Sequence, residues 1–426
     1  MSTDMRRVLG ELTTDARLLF ATRVLRLFAY GLLSVILVLY LTKVGLSERE
    51  IGLLLSATLA GDIVVSLLIT TRADRIGRRN MLLVGAGLML FAGVVFASTA
   101  WLPLLFIAAF AGIISPSGNE IGPFLSIEQA ALSQTIPDNK RTAVFAWYAL
   151  VGSFASALGA LGGGALAQLL RQQGLCALAS YRALVWVYAG LGLALGLMFL
   201  RVSRAVEATS RTPSDAQQRA NRLGLHKSRG VVVRLSALFS LDAFAGGFVV
   251  QSIVAYWFYV RYGVSPVVLG SIFFGANVLS GFSALVAARV AAKFGLINTM
   301  VFTHIPSNVL LILVPLMPNL PLAILMLLLR FSISQMDVPT RQSYTMAVVM
   351  PDERSAAAGV TSVARSVGAA VSPSLAGLFI AVPALLSVPF FASGGLKIIY
   401  DLLLYRSFRA HKLPEERAPA IPSNSP

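Results

Sequence analysis

Twelve apolar blocks run almost end to end along the 426-residue chain, at about 17–42, 50–71, 80–99, 102–135, 142–170, 182–202, 232–260, 265–290, 296–317, 320–348, 356–382 and 384–405. Roughly 20 apolar residues, wound at about 1.5 Å each, cross the ~30 Å hydrocarbon layer of a bilayer. Inside lipid the backbone must satisfy its own polar groups, so blocks of this kind form helices. The reading is an all-α polytopic membrane protein with twelve transmembrane helices. Charged residues make up only 13% of the chain, against about 25% in soluble domains. A large soluble protein with buried helices is the alternative that such block lengths disfavour. Several blocks exceed 25 residues, which calls for tilt or for extension beyond the bilayer.

Twelve spans place both termini on one side, and the basic residues say which. Arg6, Arg7, Arg72, Arg75, Arg78, Arg79, Lys140, Arg141, the cluster from Arg201 to Arg229, Arg289, Lys293, Arg354, Arg406, Arg409, Lys412 and Arg417 all fall on the amino-terminal side. The opposite connections hold only Lys43, Arg49, Arg171, Arg182 and Arg261. Because Lys and Arg collect in cytoplasmic loops, both termini are expected in the cytoplasm, in a plasma or inner membrane. The net charge of +16, which in a soluble protein would suggest nucleic acid, is then a record of orientation. The single cysteine, Cys176, allows no intrachain disulfide and no thiolate metal cluster. The first apolar run is too long for a cleaved signal and lacks a small-residue cleavage site, so span 1 is expected to stay in the membrane.

The longest polar stretch, "SRAVEATSRTPSDAQQRANRLGLHKSRG", divides the chain near its middle. The expected organisation is a cytoplasmic tail over 1–16, a six-helix bundle over 17–202, a cytoplasmic linker over 203–230, a second six-helix bundle over 231–405 and a cytoplasmic tail over 406–426. The halves also match weakly in sequence. "RLFAYGL" (26–32) aligns with "DAFAGGF" (242–248), "PDNKRTA" (137–143) with "PDERSAA" (351–357) and "GALGGG" (159–164) with "SPSLAG" (372–377), at offsets of 216, 214 and 213. One register explains all three, as expected for parallel repeats about an axis along the membrane normal.

Within this topology the loop between spans 2 and 3 reads Thr70-x-x-x-Asp74-Arg75-x-Gly77-Arg78-Arg79. It resembles the signature of the major facilitator superfamily, with Thr70 in place of the family's glycine. The resemblance extends to the twelve spans, the two halves and the basic central linker. It implies a fold of two pseudo-symmetric six-helix bundles and a cytoplasmic latch built from this loop. Gly77 allows the sharp turn, and Asp74 would face the amino terminus of span 11, near Ser355, where the helix dipole favours a carboxylate. Arg75, Arg78 and Arg79 would pair with carboxylates or lipid phosphates, or merely follow the positive-inside bias. The matching loop between spans 8 and 9 keeps Lys293 and Gly295 but has Ala292 where the acid would stand, so one half alone should carry the latch. In span 5, Ala155-x-x-x-Gly159-Ala160-x-x-Gly163-Gly164 resembles a degenerate form of the superfamily's antiporter motif. Small-residue helix packing accounts for the same stripe. In span 11, Ser372-Pro373-x-x-Ala376-Gly377 keeps the proline, which permits a local bend.

Ionisable residues far from any loop mark a translocation path, since an unpaired charge in lipid is costly. Arg23, Arg26, Arg330, Arg341 and Arg365 stand against Asp62, Glu120, Glu128, Asp242 and Asp337, five against five. Arg26 and Asp242 hold the same repeat position on spans 1 and 7, which suggests a pair bridging the halves; the alternative is that each is satisfied within its own half. Asp337 and Arg341 share a helix face four residues apart and can pair locally. In span 4, Gly118, Gly122 and Pro123 loosen the helix, and Pro123 removes the usual partner of the Asn119 carbonyl. Broken backbone at mid-depth belongs beside protein or a water-filled cavity, making Glu120 a candidate proton or substrate site. Glu128 is expected to pair with an arginine of span 1 or 11. Aromatics such as Trp147, Tyr148, Tyr256, Trp257, Phe258 and Tyr259 either line a pocket or pack.

His226, His304 and His411 show no metal spacing, and no G-x-x-x-x-G-K-[ST] loop is present, so neither an enzyme nor an ATP-driven pump is indicated. The expected function is secondary transport of a small organic solute by alternating access, with proton-coupled efflux as the leading form. Uptake or facilitated diffusion of a small metabolite, anionic or not, is the second form, with Arg26, Arg330 and Arg365 as the groups an anion would use, and a non-transporting sensor on the same fold is the third. Expected partners are a small-molecule substrate, protons and membrane lipids, with no nucleic acid, cofactor or metal, for a chain acting as a monomer.

Overall fold

The computed structural model describes residues 13–120, 122–135, 138–203, 206–207, 228–350 and 353–409. Nearly all of the expected linker and both tails lie outside the described residues. Fifteen α-helices of ten residues or more are described: α1 (Thr14–Val44), α2 (Glu48–Ile76), α3 (Arg78–Ser98), α4 (Leu102–Ala111), α5 (Phe124–Thr135), α6 (Asp138–Gln172), α7 (Ala177–Phe199), α8 (Arg229–Gly247), α9 (Gln251–Tyr262), α10 (Pro266–Phe294), α11 (Leu296–Leu313), α12 (Leu320–Ile333), α13 (Asp337–Val348), α14 (Arg354–Ile380) and α15 (Val388–Phe408). Eleven spans, two of them joining successive helices, are long and apolar enough to cross a membrane among the described residues. The twelfth is span 4, divided into α4 and α5. The fold is thus twelve crossings in two six-helix halves.

Local chemistry sets the turns between crossings. The left-handed Gly45 (φ +107°) ends α1, and a capping box between Ser47 and Glu50 starts α2 on the other side of the turn. Gly77 (φ +109°) and Gly295 (φ +82°), 218 residues apart, make the equivalent turns between spans 2 and 3 and between spans 8 and 9. A side chain at either position would strain the backbone, so the repeat is visible in the turns as well as in the helices.

Three spans are broken at mid-depth. Span 4 loses its helix between α4 and α5, where Gly118 (φ +69°) and Gly122 (φ +82°) take left-handed conformations. The Asn119 carbonyl that Pro123 deprives of its helical partner accepts instead from Ser115 Oγ at 2.8 Å. Gly122 N–H donates to Asp62 Oδ1 at 2.6 Å. Span 7 breaks at Phe248–Val250, and Ser252 N–H donates to the Pro116 carbonyl at 3.0 Å, so the two breaks are stitched together across the halves. Span 10 breaks at Ser334–Met336. The loosening of span 4 was legible in its glycines and proline; spans 7 and 10 carry comparable marks, Gly246-Gly247 before one break and Pro339 after the other, which the sequence reading did not use.

The two halves meet by close backbone crossings on the face away from the chain ends. A Cβ at Gly52 of α2 would lie 2.6 Å from the Pro373 carbonyl and 2.8 Å from Gly377 Cα of α14. The second crossing pairs Gly164 of α6 with Gly270 of α10, whose added Cβ would stand 2.6 Å from the Ala160 carbonyl and 3.1 Å from Gly164 Cα. Gly164 and Gly377 are 213 residues apart and Gly52 and Gly270 218, so the crossings are copies of one arrangement. Ser374 N–H donating to Ser56 Oγ (2.9 Å) and Tyr256 Oη donating to Glu48 Oε1 (2.9 Å) reinforce the first crossing. The hydrogen bonds that join the halves among the described residues all lie at the level of these breaks or on that same side. Gly159 and Gly163, on the same stripe as Gly164, seat α6 against the backbone of Phe28 and Leu32 in α1.

Candidate functional site

A cavity of about 670 Å³ lies between the halves at the level of the three breaks. Residues of all three breaks reach it, among them Ser117, Asn119 and Glu120 from span 4, Val249 and Val250 from span 7, and Ser334 and Gln335 from span 10. Broken helix exposes backbone polar groups, which in a membrane are tolerable only beside such a space.

Its first wall is built on α1. Arg23 and Arg26, three residues apart, share one helix face. Arg26 is wholly buried and grips Glu128 of α5 with both terminal nitrogens at 2.7 Å, while its Nε donates to Glu120 Oε1 at 2.9 Å. Glu128 also accepts from Thr22 Oγ1 (3.3 Å) and from the Tyr148 hydroxyl, so both its oxygens are engaged. Arg23 Nη1 lies 2.8 Å from Glu120 Oε2, but off the hydrogen-bonding axis, and its guanidinium stacks 4.3 Å above the Tyr148 ring. Glu120 therefore faces two arginines and the cavity at once.

The second wall is built around Asp242 of α8. Its Oδ2 accepts from Arg341 and Arg365 at 3.1 Å each, and Lys397 Nζ reaches Oδ1 at 2.5 Å. Arg341 also donates to Asp337 Oδ2 at 2.9 Å, four residues away on α13. Behind them His304 Nδ1 contacts both oxygens of Asp401 (2.9 and 3.1 Å), to which Asn308 Nδ2 donates at 3.2 Å, and His304 Nε2 lies 3.9 Å from Asp242. Five helices, α8, α11, α13, α14 and α15, are tied by this one cluster.

The bridging Arg26–Asp242 pair suggested by the repeat is corrected by this geometry. Each residue has carboxylates or cations of its own half within hydrogen-bonding distance, so each is satisfied there. The expected local pair of Asp337 with Arg341 and the expected partnership of Glu128 with a span-1 arginine are both present. Glu120, Asp242, Arg330, Asp337, Arg341 and Arg365 line the cavity, whereas Arg26 and Glu128 stand just behind its wall. Sequence reasoning missed Lys397 and Asp401, although their four-residue spacing inside the block of span 12 is the signal used elsewhere. It also set His304 aside for want of metal spacing, when here it contacts both oxygens of Asp401 behind the cavity wall. The named aromatics pack rather than line the cavity: Trp257 and Phe258 are buried in the core and Tyr148 serves Glu128.

In the loop between spans 2 and 3, Glu207 accepts the backbone N–H of Arg78 (2.6 Å) and of Arg79 (3.3 Å). The Arg79 guanidinium donates to the carbonyls of Phe199 (3.3 Å) and Leu200 (2.5 Å), and Arg78 Nη1 to that of Val206 (3.4 Å). Arg78 and Arg79 thus fasten the loop to the end of span 6 in their own half; Arg75 is exposed. The Asp74 side chain, and with it the expected contact near Ser355, lies outside the described residues.

Two six-helix halves around a charged central cavity define a transporter architecture. The chain belongs to the Major Facilitator Superfamily, whose family model matches residues 19–373. It is 32% identical to an uncharacterized membrane protein of Saccharomyces cerevisiae, over 92% of this chain and 93% of that one. Its fold is similar to that of a bacterial homolog of the human lysosomal transporter Spinster in an inward-facing, unoccupied conformation (TM-score 0.67, 16% identity, 92% and 94% of the two chains). It is likewise similar to the nucleoside transporter NupG (0.70, 12%, 93% and 100%) and to a D-xylose-proton symporter (0.68, 16%, 94% and 98%).

Proposed function

We propose that this multi-pass membrane protein exports a small polar organic solute in exchange for protons, by alternating access to the central cavity. The observation that carries the reading is the cavity itself: it lies between two repeated halves, is lined by opposed ionic clusters and is shut on one side by the paired glycine crossings. With the termini in the cytoplasm, that shut side is the outer one and the solute enters from within. The polar lining favours a hydrophilic solute over a lipophilic, drug-like one. The glycine stripe of α6, at the seam with α1 and α10, is the feature that favours exchange.

Glu120 is the proton carrier in this reading. If Glu120 takes up a proton, Arg26 keeps its bidentate pair with Glu128 and only Arg23, at the cavity wall, loses its carboxylate; if Glu128 did so, Arg26 would lose its best partner. A solute that competes for Arg23 would release Glu120 to protonate, which couples the two events at one place.

The test uses proteoliposomes enclosing a pH-sensitive dye. When a transported solute is added outside, exchange drives protons out and the lumen becomes alkaline, whereas symport makes it acidic. Lumenal acidification during solute entry would overturn the exchange mechanism, and entry with no pH change would overturn proton coupling.

A further inference from the structure

Among the described residues, one cation in the cavity has no carboxylate within ion-pair distance, although Asp337 and Asp242 stand farther off in the same cavity. Arg330 of α12 is ten residues from the start of its helix, about 15 Å deep at the α-helical rise, which is near the bilayer centre. Among the described residues no carboxylate lies within 4.0 Å of it, and its buried Nε has no hydrogen-bond partner. The ring of its neighbour Phe331 lies 4.9 Å from the guanidinium carbon. One helical turn on, at the break of span 10, Ser334 Oγ is also buried and also without a partner. Both residues line the cavity. A guanidinium held in the membrane without an ion pair, its Nε buried and unbonded, is expensive, and a protein that keeps one beside an open space holds it for a charge that arrives from outside.

The surroundings have the same sign. The cavity lining carries five cations (Arg23, Arg330, Arg341, Arg365 and Lys397) against three carboxylates. Asp242 must serve three of those cations, and Arg365 spends only Nη1 on it while its side chain stays about a third exposed (32%). The guanidinium fork matches two oxygens held in one plane, the geometry of a carboxylate or of two phosphate oxygens. Elsewhere in the lining, Gln335 and Gln342 present amides for hydroxyl or amide groups on the rest of a solute, while Gln251 and Asn277 already bond each other and Ser34.

Resting on the reading of this cavity as the transport site, we infer that the solute bears a carboxylate or phosphate group, received by Arg330 and Ser334 at the break of span 10. Arg365 stands ready as the second cation for a dianion. The group brings the counter-charge that the protein withholds, so occupancy makes the C-terminal wall electrically complete.

The experiment is a set of thermal melts of the purified full-length protein at constant ionic strength, with probes in matched pairs: succinate against succinamide, glycerol phosphate against glycerol, and inorganic phosphate alone. Stabilisation by the anionic member of at least one pair and not by its neutral twin is expected, and which pair responds separates carboxylate from phosphate. Arg330→Gln should weaken that binding roughly tenfold or more and Ser334→Ala less. Because Arg330 has no ion-pair partner within 4.0 Å to lose, Arg330→Gln without ligand should melt at or above the parent temperature, while Arg341→Gln, which strands Asp337 and takes one of three cations from Asp242, should melt lower. The inference is overturned if neutral twins stabilise equally, if no anion stabilises, if Arg330→Gln binds as the parent does, or if it melts as low as Arg341→Gln. Ser280→Trp, which fills the cavity, separates the two levels of the argument: binding that persists in that variant removes the cavity as the site altogether.

Discussion

The two glycine crossings make the conformational reading testable by one methyl group. At Gly52 an added Cβ would fall 2.6 Å from the Pro373 carbonyl, where ordinary contact begins at 3.4 Å. The shortfall of about 0.8 Å is against backbone on both sides, so no side chain can rotate away to absorb it, and α2 and α14 must part. Overpacking of this kind costs about 1–3 kcal/mol. The cost falls only on the state in which the helices touch, so Gly52→Ala should move the balance of states about 5- to 150-fold toward the one open on the far face. Gly270→Ala should do the same at the second crossing, where its Cβ would meet the Ala160 carbonyl at 2.6 Å.

The readout is cysteine accessibility in intact cells. In a Cys176→Ser background, a Ser280→Cys reporter in the cavity should resist a membrane-impermeant maleimide in the parent and react in Gly52→Ala. Gly190→Ala is the control, since a Cβ there meets nothing within 4 Å. Unchanged reporter reactivity in both crossing variants, with folded protein at parent levels, would refute the claim that these crossings hold the far side shut.

Native Cys176, exposed at the start of α7, tests the orientation: the impermeant maleimide should label it in intact parent cells, and labelling only after permeabilisation would place the chain ends outside. Glu128→Gln should lower stability by about 3 kcal/mol, because it breaks a buried bidentate pair and leaves Arg26 with Glu120 alone, whereas Glu120→Gln should keep the melting temperature within a few degrees and abolish solute-driven pH change; the reverse ranking in melts would exchange their roles. Gly77→Ala places a side chain at φ +109° and should cost about 1–2 kcal/mol, seen as reduced yield and melting temperature, with Gly87→Ala, whose Cβ meets nothing within 4 Å, as the neutral comparison.

What the sequence revealed follows from how local each physical cause is. Block length and the demand for internal hydrogen bonding are properties of short stretches, so the twelve spans and the two-half fold could be read directly. Gly77 and Gly295 were legible for the same reason, since a tight turn needs its glycine where the turn is. Asp337 with Arg341 was within reach because four residues make one helical turn. The partners of Arg26 and Asp242 were not, because they depend on which of six helices comes nearest. The repeat gave these two residues equivalent places and so suggested that they meet; equivalence under a pseudo-twofold axis places them on opposite walls instead, each facing the carboxylates or cations of its own half. The same distinction explains Arg330. Counting charges balanced the membrane interior at five against five, and a balanced count suggests that every charge is paired. Pairing is set by distance, however, and once Asp242 is committed to Arg341, Arg365 and Lys397, a membrane interior that balances on paper leaves one guanidinium facing an open cavity. That local imbalance, invisible in a total, is what gives the cavity a chemical preference.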